Sequence, residues 1–278
     1  MNCIKIFRSS LIAARSIKSY NNVPKRCSRS SSCDECLFPD KKPCFDINKV
    51  SIKRGNVGHA RLIKSFLYSH YWPREPSVVG LWMCVNCPYL EVLSEKYSNS
   101  GDRFLAYEFI ERTREWKLVG VSVANKTYPW MVEELEEWAH YTQSKPERNR
   151  MYFIAHCLKS PNLFNKYNVD YLYDVEILGT ASEVAGQGVG KLLLQAILKN
   201  AEDLRHPLVH VISVSQYTSK ICESCGMKME WSMDFSEFID DAGQRVFFPR
   251  RPHHTVNVYV KHFNPSEGGR EPCKPPFL

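Results

Sequence analysis

The chain has 278 residues, enough for one large domain or two small ones, and 44% of them are hydrophobic, enough to bury a full core. No uninterrupted apolar run approaches the ~20 residues of a membrane span. The net charge of +7 sits at one end: residues 1–33 carry seven lysines and arginines and no acid, while the other 30 bases balance the 30 acids of 34–278. The body is therefore neutral and carries no electrostatic footprint for nucleic acid.

Residues 1–46 read as a targeting peptide and linker. The first 33 are rich in arginine and serine, and Ile4, Phe7, Leu11 and Ala14 share one helical face, interrupted by Lys18. These are marks of a mitochondrial presequence, the alternative being a basic tail on a cytoplasmic protein. Arg8 and Arg15 break any apolar stretch a secretory signal would need.

The body then alternates periods. Val50–Arg54 reads as a strand, 55–71 as a helix with Ala60, Ile63, Phe66 and Leu67 on one face, and 85–97 as a helix with Pro88 near its start. Strands at 103–110 and 116–124 form an antiparallel hairpin. Helices at 131–142 and 149–159 lie in an aromatic stretch, 128–168, whose rings would pack a core or line an apolar pocket. A strand at 169–179, a helix at 190–204 with Leu193, Ile197, Ala201 and Leu204 on one face, and a strand at 208–214 follow. A short helix at 218–225 ends at Gly226, and strands at 227–238 and 255–261 close the body. The expected architecture is one α/β domain over 47–263, with a mixed, mostly antiparallel sheet, and a flexible tail at 264–278.

The most informative stretch is Glu183–Leu198, which places Gly186, Gly188 and Gly190 between a strand and a helix. Glycine lets the backbone approach a ligand, and the first amides of a helix are unpaired donors, so the stretch is a cradle for phosphates. A dinucleotide fingerprint fails because its third glycine would be Lys191; a Walker A loop fails at Ala185 and Leu192. An acyl-CoA loop of the form Gln/Arg-x-x-Gly-x-Gly/Ala fits at Gly188 and Gly190, with Ala185 in place of the leading Gln or Arg. A purely structural strand-to-helix turn is the bland alternative.

Three C-x-x-C pairs occur, Cys33/Cys36, Cys84/Cys87 and Cys222/Cys225. No paired histidine spacing completes a zinc finger, and none lies in a thioredoxin-like setting, so ordinary thiols are the expectation and no metal is expected.

The element order, with the loop after the central strand, resembles the GNAT acetyltransferases. Four segments resemble one branch, the insect-type arylalkylamine N-acetyltransferases: Tyr71–Ser77, containing Glu75-Pro76; Phe164–Asp170 leading to Val175–Thr180 and the loop; Ser213–Ser219; and Gly243–Pro249 with His253, His254 and Val258–Lys261. The resemblance covers roughly 48–262.

What the resemblance implies is an enzyme that moves acetyl from acetyl-CoA to a small primary amine. Glu75 falls where the family places its general base, a carboxylate that needs burial to work near neutral pH; Trp72 and Pro73 are placed to supply it. The end of the central strand, Leu178, Gly179 and Thr180, would hold the pantetheine arm, with the Leu178 amide at the thioester oxygen. The amides of Gly186, Gln187, Gly188, Val189, Gly190 and Lys191 would hold the pyrophosphate. The tyrosine acid of many members is replaced by Cys222, and of two family hydroxyls four residues apart the first aligns with Val214 and the second with Thr218. Ser215 and Thr218 remain candidate proton donors, with helix capping as their structural alternative. Other functions compatible with the sequence are a protein lysine acetyltransferase and a degenerate acyl-CoA-binding module.

Overall fold

The computed structural model describes residues 45–240 and 242–263. The expected targeting segment, the Cys33/Cys36 pair and the tail from 264 lie outside them. Seven strands form one sheet in the order β1-β2-β3-β4-β5-β7-β6. They are β1 (Val50–Arg54), β2 (Asp102–Ile110), β3 (Glu115–Thr127), β4 (Leu172–Thr180), β5 (Leu208–Ser213), β6 (Lys228–Asp234) and β7 (Thr255–His262). Every neighbouring pair is antiparallel except β4 and β5. The mixed, mostly antiparallel sheet of the sequence reading is the sheet observed.

Two layers of helices cover it. On one face lie α1 (Ala60–Phe66), α2 (Pro76–Gly80) and α3 (Pro88–Asn99), followed in the chain by α4 (Met131–Tyr141), α5 (Lys145–Lys159) and α6 (Leu163–Tyr167); α7 (Val189–Asp203) lies on the other, and α8 (Gln216–Ser224) follows β5. The faces can be read from adjacent residues. A Cβ on Gly179 would meet Tyr71 of the α1 side at 2.9 Å, while one on Gly120, opposite Thr180, would meet Leu193 of α7 at 2.9 Å. Successive strand residues point to opposite faces, so β3 and β4 are covered on both sides.

Several boundaries differ from the sequence reading for local reasons. The helix from Ala60 does not run straight to Tyr71; it widens into a π turn at Leu67–Tyr71 and tightens over Trp72–Arg74 before Pro76 opens α2. The expected strand at 169–179 starts at Leu172, because α6 ends at Asn168 in the left-handed region (φ 50°), a conformation asparagine tolerates. Leu204 is 51% exposed rather than part of the α7 core face, since α7 ends at Asp203.

The aromatic stretch 128–168 divides between core and surface. Phe153 is fully buried against Phe235, Phe238 and Phe247, whereas Trp138 and Tyr141 are exposed. These rings join α5 to the β6–β7 connection. Truncating Phe153 to Ala should cost about 3–5 kcal/mol, read as a lowered urea midpoint.

Candidate active site

The site is built where β4 and β5 part. They pair only at Tyr173↔Val209 and Asp174↔His210, and the buried His210 Nδ1 lies 2.9 Å from Asp174 Oδ1 at that last rung. Beyond it β4 keeps only its β3 partner. Ala181 N–H donates to Val119 O at 2.8 Å, with Thr180 opposite Gly120 and Leu178 opposite Ser122. Hydrogen-bonded residues alternate along an antiparallel ladder, so Gly179 turns its backbone groups to β3. Leu178 and Thr180 turn theirs to the side from which β5 has departed. Among the described residues the Leu178 amide therefore has no backbone acceptor and points into the fork.

The three expected strand-end residues thus differ in what they offer. Leu178 presents an amide. Gly179 presents room, since Tyr71 and Phe66 pack where its side chain would be. The Thr180 carbonyl already accepts from the Arg74 guanidinium, which also donates to His70 O at 2.7 Å.

The glycine loop follows. Gly186 and Gly188 have φ of 78° and 94°, values that favour glycine, and nothing lies within 4 Å of a Cβ on Gly186. Among the described residues, the amides of Gly186, Gly188, Val189 and Gly190 donate to no backbone carbonyl. The Gln187 amide donates to Val184 O at 3.2 Å and the Lys191 amide to Gly188 O at 3.0 Å. Four of the six expected amides are thus free to meet an anion at the N-terminus of the 15-residue α7. Lys191 makes no ion pair among the described residues, and its side chain is half-buried beside them. This donor set fits a diphosphate.

Glu75 stands at the other side of the fork. It caps α2: its carboxylate accepts from Val78 N at 2.6 Å and from Ser77 Oγ at 2.8 Å. It is 6% exposed, beneath the fully buried Trp72, whose indole donates to Ser94 Oγ at 2.8 Å. Its neighbours tie it to the strand end: Tyr71 packs on Gly179 and Arg74 reaches Thr180. Burial, then the charge of Glu75, pushes the Tyr71 phenol well above its ordinary range, so it stays neutral.

From the far side comes α8. Ser215 is its N-cap and accepts from Tyr217 N at 3.3 Å, which starts the helix two residues earlier than the sequence pattern suggests. The Thr218 hydroxyl makes no hydrogen bond among the described residues and is half-buried. Cys222, at the family's tyrosine position, is fully buried, and burial together with Cys225 and Glu223 holds its thiol up at about 12. Cys84, Cys87 and Cys225 are also free thiols, and among the described residues no three metal ligands gather.

Two residues given no role in the sequence belong here. The imidazole of His253 accepts at Nδ1 from Gln216 N at 3.3 Å, and Tyr217 stands edge-on to its ring. Burial and the neighbouring His254 lower its pKa, against the opposing pull of Glu75, so it is neutral near pH 7. Arg150 of α5 is the second, 7% exposed, with Nη2 at 3.9 Å from Glu75 Oε1. The sequence carried a trace of it: a lone charge on the face that buries Phe153, Cys157 and Leu158. Beside the start of α5, a cleft of about 220 Å³ opens toward the β6–β7 connection, with a mixed lining that includes Leu81, Val246 and Phe248 as well as Lys145, Asn149 and Asp240.

No family model matches the chain. Solved structures do. The mosquito arylalkylamine N-acetyltransferase-like 5b superposes with a TM-score of 0.70 at 20% identity, over 77% of this chain and 100% of that one. The Drosophila melanogaster polyamine N-acetyltransferase, which forms N-acetylagmatine, gives 0.67 at 22% identity over 77% and 100%. Arylalkylamine N-acetyltransferase 2 from Aedes aegypti gives 0.70 at 17% identity over 78% and 100%. At these identities the likeness speaks for architecture, and on it the chain has the fold of the GNAT acetyltransferases.

Proposed function

We propose that the protein transfers an acetyl group from acetyl-CoA to a small primary amine, with Glu75 as general base. One observation carries this: a buried carboxylate, a free strand-edge amide and a glycine cradle meet at one fork in the sheet. The solved structures of the same fold include enzymes named for acetylating arylalkylamines and agmatine.

In this reading the amides of Gly186, Gly188, Val189 and Gly190 bind the diphosphate, and Leu178 and Thr180 line the path of the pantetheine arm. The amine arrives as an ammonium ion. Glu75 takes its proton, and the freed lone pair attacks the thioester carbonyl. The Leu178 N–H meets the negative charge that develops on the carbonyl oxygen. As the C–S bond breaks, Thr218 and Ser215 are the two hydroxyls that could donate to sulfur: Thr218 makes no hydrogen bond among the described residues, and Ser215, which accepts from Tyr217 N as a cap, keeps its own proton. A thiolate with a pKa near ~8.5 leaves without strong acid help, so the absence of a hydroxyl at Val214 is tolerable.

A thiol-release screen over aralkylamines, polyamines and amino-acid amines tests the proposal. Turnover with at least one class is the expected result. Tight CoA binding without release from any would favour a binding module, for which Ala185 and Val214 would then be the reason. We further infer that residues 1–33 direct mitochondrial import; N-terminal sequencing of the native protein should find them removed.

A further inference from the structure

Arg150 is a buried cation with too few partners. A guanidinium offers five N–H donors. Among the described residues Arg150 makes a single hydrogen bond, Nη1 to Tyr89 Oη at 3.3 Å, and its Nε has none. It lies against the faces of Trp72 and Tyr89, 5.7 and 5.5 Å from the ring centroids. Burial works against its charge, but the Glu75 carboxylate offsets that and the guanidinium stays protonated. Among the described residues its one ion-pair partner is Glu75, at 3.9 Å, too long for a hydrogen bond.

That spacing has a chemical meaning. A guanidinium in full bidentate contact would add two charge-assisted hydrogen bonds to Glu75 and weaken it as a base. Here Ser77 Oγ and Val78 N donate to the carboxylate and leave it lone pairs, and Arg150 supplies charge without contact. Among the described residues, Tyr71 and His253 act on Glu75 as groups neutral near pH 7, and Arg150 acts on it with a full positive charge.

We propose that Arg150 is a positioning residue for catalysis: held between Trp72 and Tyr89, it sets a fixed positive charge beside the buried Glu75 carboxylate and so holds that carboxylate in place to take the amine's proton. The inference rests on the acetyl-transfer reading above. It also gives α5 a chemical task, that of delivering a counter-ion to a base on a different part of the chain.

The test is the pH dependence of thiol release, at saturating acetyl-CoA, for the full-length protein and for Arg150→Met and Arg150→Lys. Without the cation, a buried carboxylate holds its proton to higher pH. The acid limb of kcat/KM in Arg150→Met should therefore move to higher pH by about one unit or more. Turnover should fall on the acid side of the profile, with the KM for acetyl-CoA unchanged. Arg150→Lys, which keeps the charge, should leave the limb in place. Should Arg150→Met fail to fold, Arg150→Gln, which can still bond Tyr89, serves the same comparison. An active neutral variant with an undisplaced limb would overturn the role of Arg150 and leave the acetyl-transfer reading standing. No thiol release by the unaltered protein with any amine would overturn that reading itself, and with it the assignment of Arg150.

Discussion

Replacing Glu75 with Gln should lower turnover by on the order of 10²-fold or more while leaving acetyl-CoA affinity unchanged. Glutamine retains the shape of the side chain and one carbonyl oxygen, so it can still accept from Val78 N and cap α2. What it loses is the lone pair basic enough to take a proton from an ammonium ion. The substitution has a second consequence, because it leaves Arg150 buried with no counter-charge. Removing one partner of a buried pair costs about 3–5 kcal/mol, more than the ~1 kcal/mol of a cap. The loss of rate must therefore be separated from a loss of fold. The double variant Glu75→Gln/Arg150→Met does this, since it removes both charges. It should melt closer to the unaltered protein than Glu75→Gln alone, and it should be just as inactive. A stable double variant that turns over at the normal rate would reduce Glu75 to a cap and a counter-ion.

The parts of the site that were legible in the sequence are those made by neighbours along the chain. The strand, glycine turn and helix of 172–203 announce themselves by period and by glycine spacing. Glu75 was legible only through resemblance, because nothing in Trp72-Pro-Arg-Glu-Pro distinguishes a base from a helix cap, and what the fold itself displays is the cap. The fork, too, was legible only through resemblance. It depends on β4 and β5 sharing just two rungs, and on β7 pairing between β5 and β6, which are long-range choices. Arg74 and Arg150 escaped for the same reason. One reaches a carbonyl 106 positions away, and the other meets a carboxylate 75 positions earlier. The aromatic stretch misled in an instructive way. Its rings mark how α5 is fixed to the β6–β7 connection, while the chemically telling residue of that helix is its one buried charge.

Replacing Gly188 with Glu should abolish measurable acetyl-CoA binding. Two effects act together. At φ 94° a side chain is strained by about 1–3 kcal/mol, and relief of that strain would turn the Val189 and Gly190 amides away from a shared target. The carboxylate matters more. It would sit at the N-terminus of α7, where its own oxygens can accept from the amides that are otherwise free for phosphate. A diphosphate brought to within 4 Å of it would meet a repulsion of about 4 kcal/mol per charge pair at an effective dielectric of 20, equal to roughly three decades in affinity. Gly188→Ala carries the strain without the charge and separates the two terms, so its affinity should fall by about tenfold to a hundredfold and no further. Calorimetric titration with CoA measures both. Tight binding by Gly188→Glu would remove the loop from the site, because no arrangement that uses these amides for phosphate can also accommodate an anion among them.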